Sequence, residues 1–248
     1  MLAALAVGVL LYGRGHLFTR GHAKAAAAPA PPPTLPVTVP VVLPPPTPLS
    51  FEVADAAVPV VPLFQSPGEV WAGGRTLKNP TVEHIPLVFL VRQDMGDWLN
   101  VQIPARPNGT TAWVRRSDVA LRTVANHILV ELGARRVTVL HGDEQLVQDR
   151  VAIGAPSGPT PTGSFYVDGV VRLNRDTGPY GAGQLSVAGF SDVYKTFGAG
   201  IGEIALHGTN SPALIGGTVS HGCVRMLNGT WLRVADLAPS GTPVDIVS

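Results

Sequence analysis

A chain of 248 residues with 18 Lys and Arg against 17 Asp and Glu, and with only 14% charged side chains, has no basic surface to hold a nucleic-acid backbone. Its 45% hydrophobic content suffices for packed cores in one large or two small domains. A single cysteine excludes an internal disulfide, so packing must hold the fold, and the lone thiol needs an explanation of its own.

The chain opens on an apolar run, Leu2 to Tyr12, followed by Arg14, His16, Arg20, His22 and Lys24. The run is shorter than the ~20 residues of a membrane-spanning helix. It fits the apolar region of an export signal, or the end of a membrane anchor, and residues 1–24 are assigned to one or the other; no basic segment precedes the run. Residues 25–50, "AAAAPAPPPTLPVTVPVVLPPPTPLS", carry ten prolines and no charge. Proline at this density favours extended polyproline II and reads as a semi-rigid linker. Together these segments point to an extracytoplasmic protein, secreted or anchored, whose folded part is held away from a membrane.

Residues 51–121 read as short strands and turns. "DWLNVQI", Asp97 to Ile103, alternates Trp98, Asn100 and Gln102 with Leu99, Val101 and Ile103. A loop with Asn108 and Gly109 leads into "TAWVRRSDVAL", so the two stretches are expected to form an antiparallel hairpin. With Ala112-Trp113-Val114 in its second strand, this segment resembles a bacterial SH3-like domain, which implies a small β-barrel.

Residues 126–248 begin with three β-rich runs, His127 to Leu132, Arg135 to Leu140 and Gln145 to Ile153, separated by Gly133-Ala134 and by His141 to Glu144, a pattern that predicts a meander. "PSGPTPTGSFYV" makes a sharp loop before another strand. A long glycine-rich stretch from Arg172 to Gly202, with Tyr180, Phe190, Tyr194 and Phe197, reads as a functional connection such as a lid. The one persuasive helix is Gly229 to Ala238, with Trp231, Leu232, Ala235 and Leu237 as its apolar stripe and Pro239 as its stop.

Cys223 sits in "VSHGCVRM", sixteen positions after His207 in "IALHGTN". A free cysteine with no context is most often an inert buried side chain. Here Gly222 lets the backbone turn tightly, and two histidines lie within loop-closing distance. A thiol of pKa ~8.5 must lose its proton before it attacks, and a histidine in reach can take it. His207 is the candidate base and Cys223 the candidate nucleophile, with a helical turn after the cysteine to favour the thiolate. The amides of His221, Gly222 and Cys223 would hold an oxyanion, and a backbone carbonyl such as that of Gly208 would orient the base. Zinc held by His207, His221 and Cys223 is the other chemical reading, although a structural site needs a fourth ligand and one glycine makes an awkward bite between the last two.

His207-Gly208-Thr209-Asn210 followed by Ser220-His221-Gly222-Cys223-Val224-Arg225 resembles the signature of L,D-transpeptidases of the YkuD type, and "PTPTGSFYV" and "GPYGAGQLSVAGF" resemble further landmarks of that domain. Many members have Asn where Arg225 stands. The resemblance implies a mainly β protein, a mixed β-sandwich catalytic domain with one or two short helices after the SH3-like barrel. It also implies a cysteine acyl-enzyme with a peptidoglycan stem tetrapeptide, loss of the terminal D-alanine, and transfer to the side-chain amine of a neighbouring stem in a 3→3 cross-link. By the same resemblance Cys223 is the nucleophile and His207 the acid/base. Ser220, His221, Gly222 and Gly208 shape the pocket and oxyanion hole, while Tyr180, Arg225, Thr209 and Asn210 stand on the substrate side. Arg225 is open to two readings, a seat for a stem carboxylate or a structural ion pair. No cofactor or metal is implied, and carbapenem-type β-lactams are the implied covalent inhibitors. An L,D-carboxypeptidase using the same half-reaction and a non-catalytic wall-binding protein are the competing functions.

Overall fold

The computed structural model describes residues 50–174, 176–196, 198 and 200–248. The expected signal or anchor over 1–24, the linker apart from Ser50, and Phe197 lie outside these residues. The described part forms a single compact unit containing two main sheets.

The first sheet has seven strands among the described residues, in the spatial order Glu69–Val70, Phe64–Ser66, Thr111–Arg115, Trp98–Gln102, Val88–Asp94, Phe51–Ala56 and Val119–Val124, each antiparallel to its neighbour. The hairpin read from "DWLNVQI" is present, with Trp98 opposite Arg115 and Gln102 opposite Thr111. Leu99, Val101 and Ile103 point into a core shared with Leu63, Phe89 and Val114. Gln102 breaks the expected polar alternation and is buried, because its end of the face is covered by the second sheet and its Nε2 donates to the Ser164 carbonyl at 2.9 Å. The last strand runs three residues past the expected boundary at Leu121, pairing Val124 with Phe51.

The second sheet is mixed and has eight strands among the described residues. The predicted meander is there as Glu144–Arg150, Arg136–His141 and His127–Glu131. Next comes Pro243–Val247, parallel to His127–Glu131 and antiparallel to Gly163–Arg172. Gly183–Phe190, Glu203–His207 and Val224–Arg225 complete the order, the last pair being parallel. The glycine-rich stretch is therefore two loops around a strand rather than one long connection. Its glycines hide the β signal because neighbours leave no room for side chains: a Cβ on Gly189 would lie 2.7 Å from the Phe165 ring, and one on Gly183 would lie 2.3 Å from Trp231.

The helix spans Asn228–Leu237. Its buried face is Thr230, Trp231, Val234 and Ala235, while Leu232 is 43% exposed, so the apolar stripe differs from the expected one. Spacing of three and four from Trp231 selects Val234 and Ala235, and Leu232 falls a quarter turn away. Trp231 is fully buried, and its Nε1 donates to the Leu206 carbonyl at 3.1 Å. That bond pins the helix to the strand that ends at His207.

Candidate active site

His207 and Cys223 are brought together by strand pairing. Glu203–His207 and Val224–Arg225 run parallel with Leu206 opposite Val224, so Cys223 enters its strand beside Ala205, whose backbone hydrogen-bonds the sulfur. Both side chains line a cavity of about 190 Å³ together with Tyr180, Tyr194, Glu203, Ser220, His221 and Arg225. His207 is 4% exposed, and its Nδ1 lies 2.6 Å from the Gly208 carbonyl. A carbonyl only accepts, so Nδ1 carries the proton and Nε2 is left with the lone pair a base needs. The Tyr180 ring packs edge-on against the imidazole, centroids 5.0 Å apart.

Burial pushes the Cys223 thiol above its ordinary pKa, and Glu203 adds to this, against the Ala205 hydrogen bond and the positive charge of Arg225. Burial lowers His207 to about 4, helped by Arg225 and opposed by the Gly208 bond. At neutral pH the resting pair is a thiol beside a neutral imidazole. The expected helical turn after the cysteine is absent: Val224–Arg225 is a strand, and the helix begins only at Asn228.

The loop before the cysteine is braced from within. Ser220 Oγ donates to the Cys223 carbonyl at 2.5 Å and accepts from the Gly222 amide at 3.2 Å. Gly222 adopts φ +124°, which a side chain would strain. Its amide, one of the expected oxyanion donors, is engaged by Ser220, which braces the loop and also lines the cavity. His221 stacks edge-on against Tyr194 with centroids 5.3 Å apart, forming one rim of the cavity.

Gly208, Thr209 and Asn210 do not line the cavity. The Thr209 amide donates to Asn228 Oδ1 at 2.9 Å, and Asn210 Nδ2 donates to the Thr177 carbonyl at 3.0 Å, so both residues secure loops beside the cavity. Sequence reasoning missed Asn228. Its Oδ1 accepts the amides of both Thr209 and Ala182 and joins the helix start to the loops on either side of His207. A Cβ on Gly208 would sit 2.3 Å from that oxygen, which explains the glycine. Arg225 has no ion-pair partner among the described residues, and its Nε is buried without a hydrogen-bond partner there. No group of three or more His, Cys, Asp or Glu among the described residues is placed to hold a metal ion.

Residues 125–246 match the family described as the L,D-transpeptidase catalytic domain, YkuD. The YkuD protein of Bacillus subtilis (strain 168) is 36% identical over 124 residues, which cover 50% of this chain and 67% of that protein. The chain belongs to the YkuD family of L,D-transpeptidase catalytic domains. Solved L,D-transpeptidases are more distant. The catalytic domain from E. faecium is 19% identical with a TM-score of 0.36, covering 49% of this chain and 95% of that one. LdtMt1, solved in complex with imipenem, is 18% identical with a TM-score of 0.41, covering 60% of this chain and 90% of that one. Within the family signature of this chain, the structure thus separates residues that face the cavity, His207, Ser220, His221, Cys223 and Arg225, from Gly208, Thr209, Asn210 and Gly222, which set the backbone around them.

Proposed function

We propose that the protein is a peptidoglycan L,D-transpeptidase that makes 3→3 cross-links through a thioester on Cys223. The observation that carries this reading is a neutral, buried His207 in one cavity with a neutral, half-buried Cys223. His207 Nε2 takes the thiol proton as the sulfur attacks the carbonyl of the third residue of a donor stem. The tetrahedral oxyanion is held by the Cys223 amide, a donor of the kind that contributes ~3 to 4 kcal/mol in hydrolases. Collapse breaks the amide bond, and the imidazolium returns its proton to the departing amine of D-alanine. The side-chain amine of an acceptor stem then attacks the thioester, its proton passes through His207 to the sulfur, and Cys223 leaves as a thiol. Arg225, with a guanidinium edge unpaired beside the cavity, is the seat for a stem carboxylate. A substrate of this kind lies outside the membrane, so the reading also requires export, for which the apolar run of 1–24 is the proposed device.

A strained β-lactam is a ready acyl donor to the same sulfur. Intact-protein mass spectrometry of the reduced protein with imipenem is expected to show a one-to-one covalent adduct that is lost in Cys223→Ala. An unmodified wild-type mass would reject the acyl-enzyme. Product analysis with a disaccharide-tetrapeptide then separates transfer, which gives a cross-linked dimer, from hydrolysis, which gives a tripeptide alone.

A further inference from the structure

A second cavity, of about 410 Å³, lies where the Thr76–Lys78 strand and the segment from Thr81 to Val88 meet the second sheet. Glu203 lines this cavity and the Cys223 cavity alike, while Asp168 lines the second one alone. The steps assigned to Cys223 and His207 use neither carboxyl.

Two irregularities in the sheet bring these acids together. The ladder between Gly163–Arg172 and Gly183–Phe190 shifts register between Val167 and Gly169, which makes Asp168 the extra residue of a bulge. The next ladder, between Gly183–Phe190 and Glu203–His207, shifts between Val187 and Phe190, and Glu203 pairs beyond that shift. Ser186 lies on the strand between them, and its Oγ donates to Glu203 Oε2 at 3.0 Å. The two carboxyl groups are hydrogen-bonded to each other, which requires that one of them keep a proton. Alternation along the Glu203–His207 strand puts Glu203 on the same face as His207, two places from the Ala205 backbone that hydrogen-bonds the Cys223 sulfur.

The shared proton belongs to Glu203. Burial pushes both carboxyls up, and the Asp168 charge and the bond between the pair raise Glu203 further. The same bond lowers Asp168, as does a hydrogen bond from its own backbone. At neutral pH the pair therefore carries its one negative charge on Asp168, the member that stays out of the Cys223 cavity. The other groups around Glu203 leave this assignment in place. Glu83, from the Thr81 to Val88 segment, raises both acids, and Lys78 is the cation lining the second cavity. Tyr166, on the Asp168 strand, is fully buried and stays a neutral phenol. On the other side stand the Cys223 thiol, Arg225 and neutral His207, with Tyr180, Tyr194 and His221 around them. An ionised Glu203 acts on the sulfur directly: its charge raises the thiol, against the lowering by Arg225.

We propose that Glu203 is a positioning residue for the nucleophile: with its proton donated to Asp168, it is a neutral wall of the Cys223 cavity that leaves Arg225 unopposed while the sulfur becomes a thiolate. Asp168 keeps that proton in place by holding the negative charge on the far side. The proposal rests on the reading of Cys223 as the attacking group.

Cys223 is the single thiol of the chain, so iodoacetamide alkylation of the full chain, followed across pH by intact-protein mass spectrometry, reports on it alone. In the wild type, Glu203 and Cys223 lose protons over overlapping ranges and repel each other's charge, so the profile is expected to spread over two steps. Glu203→Gln removes the partner and is expected to give one single-proton step with a lower midpoint. Asp168→Asn removes the charge that helps retain the proton, so Glu203 is expected to ionise about one pH unit lower and alkylation at pH ~8 to slow about threefold. Combining Asp168→Asn with Glu203→Gln is expected to recover the Glu203→Gln profile, a rescue that damage to packing would not produce. If Asp168→Asn fails to fold, the Glu203→Gln profile decides alone. Superimposed wild-type and Glu203→Gln profiles, or a slow Asp168→Asn rate that the double variant does not recover, overturn the proposal. Alkylation needs neither wall peptide nor β-lactam, so failure of the imipenem adduct would strike the transpeptidase reading while this titration still reports on Glu203.

Discussion

At the scale of single residues, the site is built to keep its nucleophile quiet. Burial raises the Cys223 thiol and lowers His207 to about 4, so neither carries charge at neutral pH. Arg225 acts on both in the same numerical direction for opposite reasons: its positive charge favours a thiolate and disfavours an imidazolium, lowering the pKa of each. Iodoacetamide alkylation of Cys223 as a function of pH is therefore expected to show a midpoint above that of a free thiol, ~8.5. In Arg225→Ala the midpoint should climb further; an unmoved midpoint would mean that the guanidinium does not reach the sulfur. Cys223 and His207 were legible in the sequence because chemistry-bearing residue types stood alone in a glycine-rich motif. That Thr209 and Asn210 stand off the cavity and hold neighbouring loops was not legible, because a motif does not distinguish a side chain that faces the cavity from one that holds the backbone. Asp168 and Glu203 were not legible at all, since a carboxyl pair made by two strands meeting through a third depends on register and not on spacing.

At the scale of elements, the first sheet reaches the active site through one turn. Asn108 makes a two-way clamp on Phe190, its Nδ2 donating to the carbonyl at 2.8 Å and its Oδ1 accepting from the amide at 2.9 Å. Arg106 lies over the Phe190 ring and donates to the carbonyls of Ser191, Tyr194 and Ile201. These bonds fix the segment that carries Tyr194, the partner of His221 on the rim of the cavity. Arg106→Ala should therefore lower kcat/KM for acylation about tenfold through misplacement of that rim, with little loss of melting temperature. A fall in melting temperature that accounts for the lost activity would make Arg106 a structural residue only. The hairpin that bears this turn was readable from its alternation and its Asn-Gly loop. The clamp was not, because nothing local in "PARPNG" names a partner more than eighty residues away. The Gly183–Phe190 strand was hidden by the same logic: its glycines answer to Trp231 and Phe165, which belong to other elements.

At the scale of the whole molecule, the buried carboxyl pair ties stability to pH. A carboxyl whose folded pKa is raised stabilises the fold below the ordinary carboxylate range and loses that contribution as pH rises through the folded value, which for Glu203 is about 9. Melting temperature is expected to decline from about pH 5 toward pH 9. Glu203→Gln, which keeps a hydrogen-bonding group and removes the ionisation, should flatten the decline. A slope unchanged in the variant would place the alkaline loss elsewhere. The mainly β architecture with one helix near the end was legible because strand alternation and turn residues are local. The covering of Gln102 and the carboxyl pair arise where the two sheets meet, and no stretch of either sheet announces that meeting.

The strand Pro243–Val247 has a consequence for how the protein comes into being. It stands between the three-stranded meander and the four strands that lead to Cys223, two pieces that also meet at the far side through the antiparallel bridge of Ala152 with Arg225. In a growing polypeptide the His127–Glu131 and Gly163–Arg172 strands each keep one unpaired edge until this late segment fills the gap between them. No residue of this strand lines the Cys223 cavity, so the late segment closes the sheet and leaves the walls around the thiol to residues that precede it.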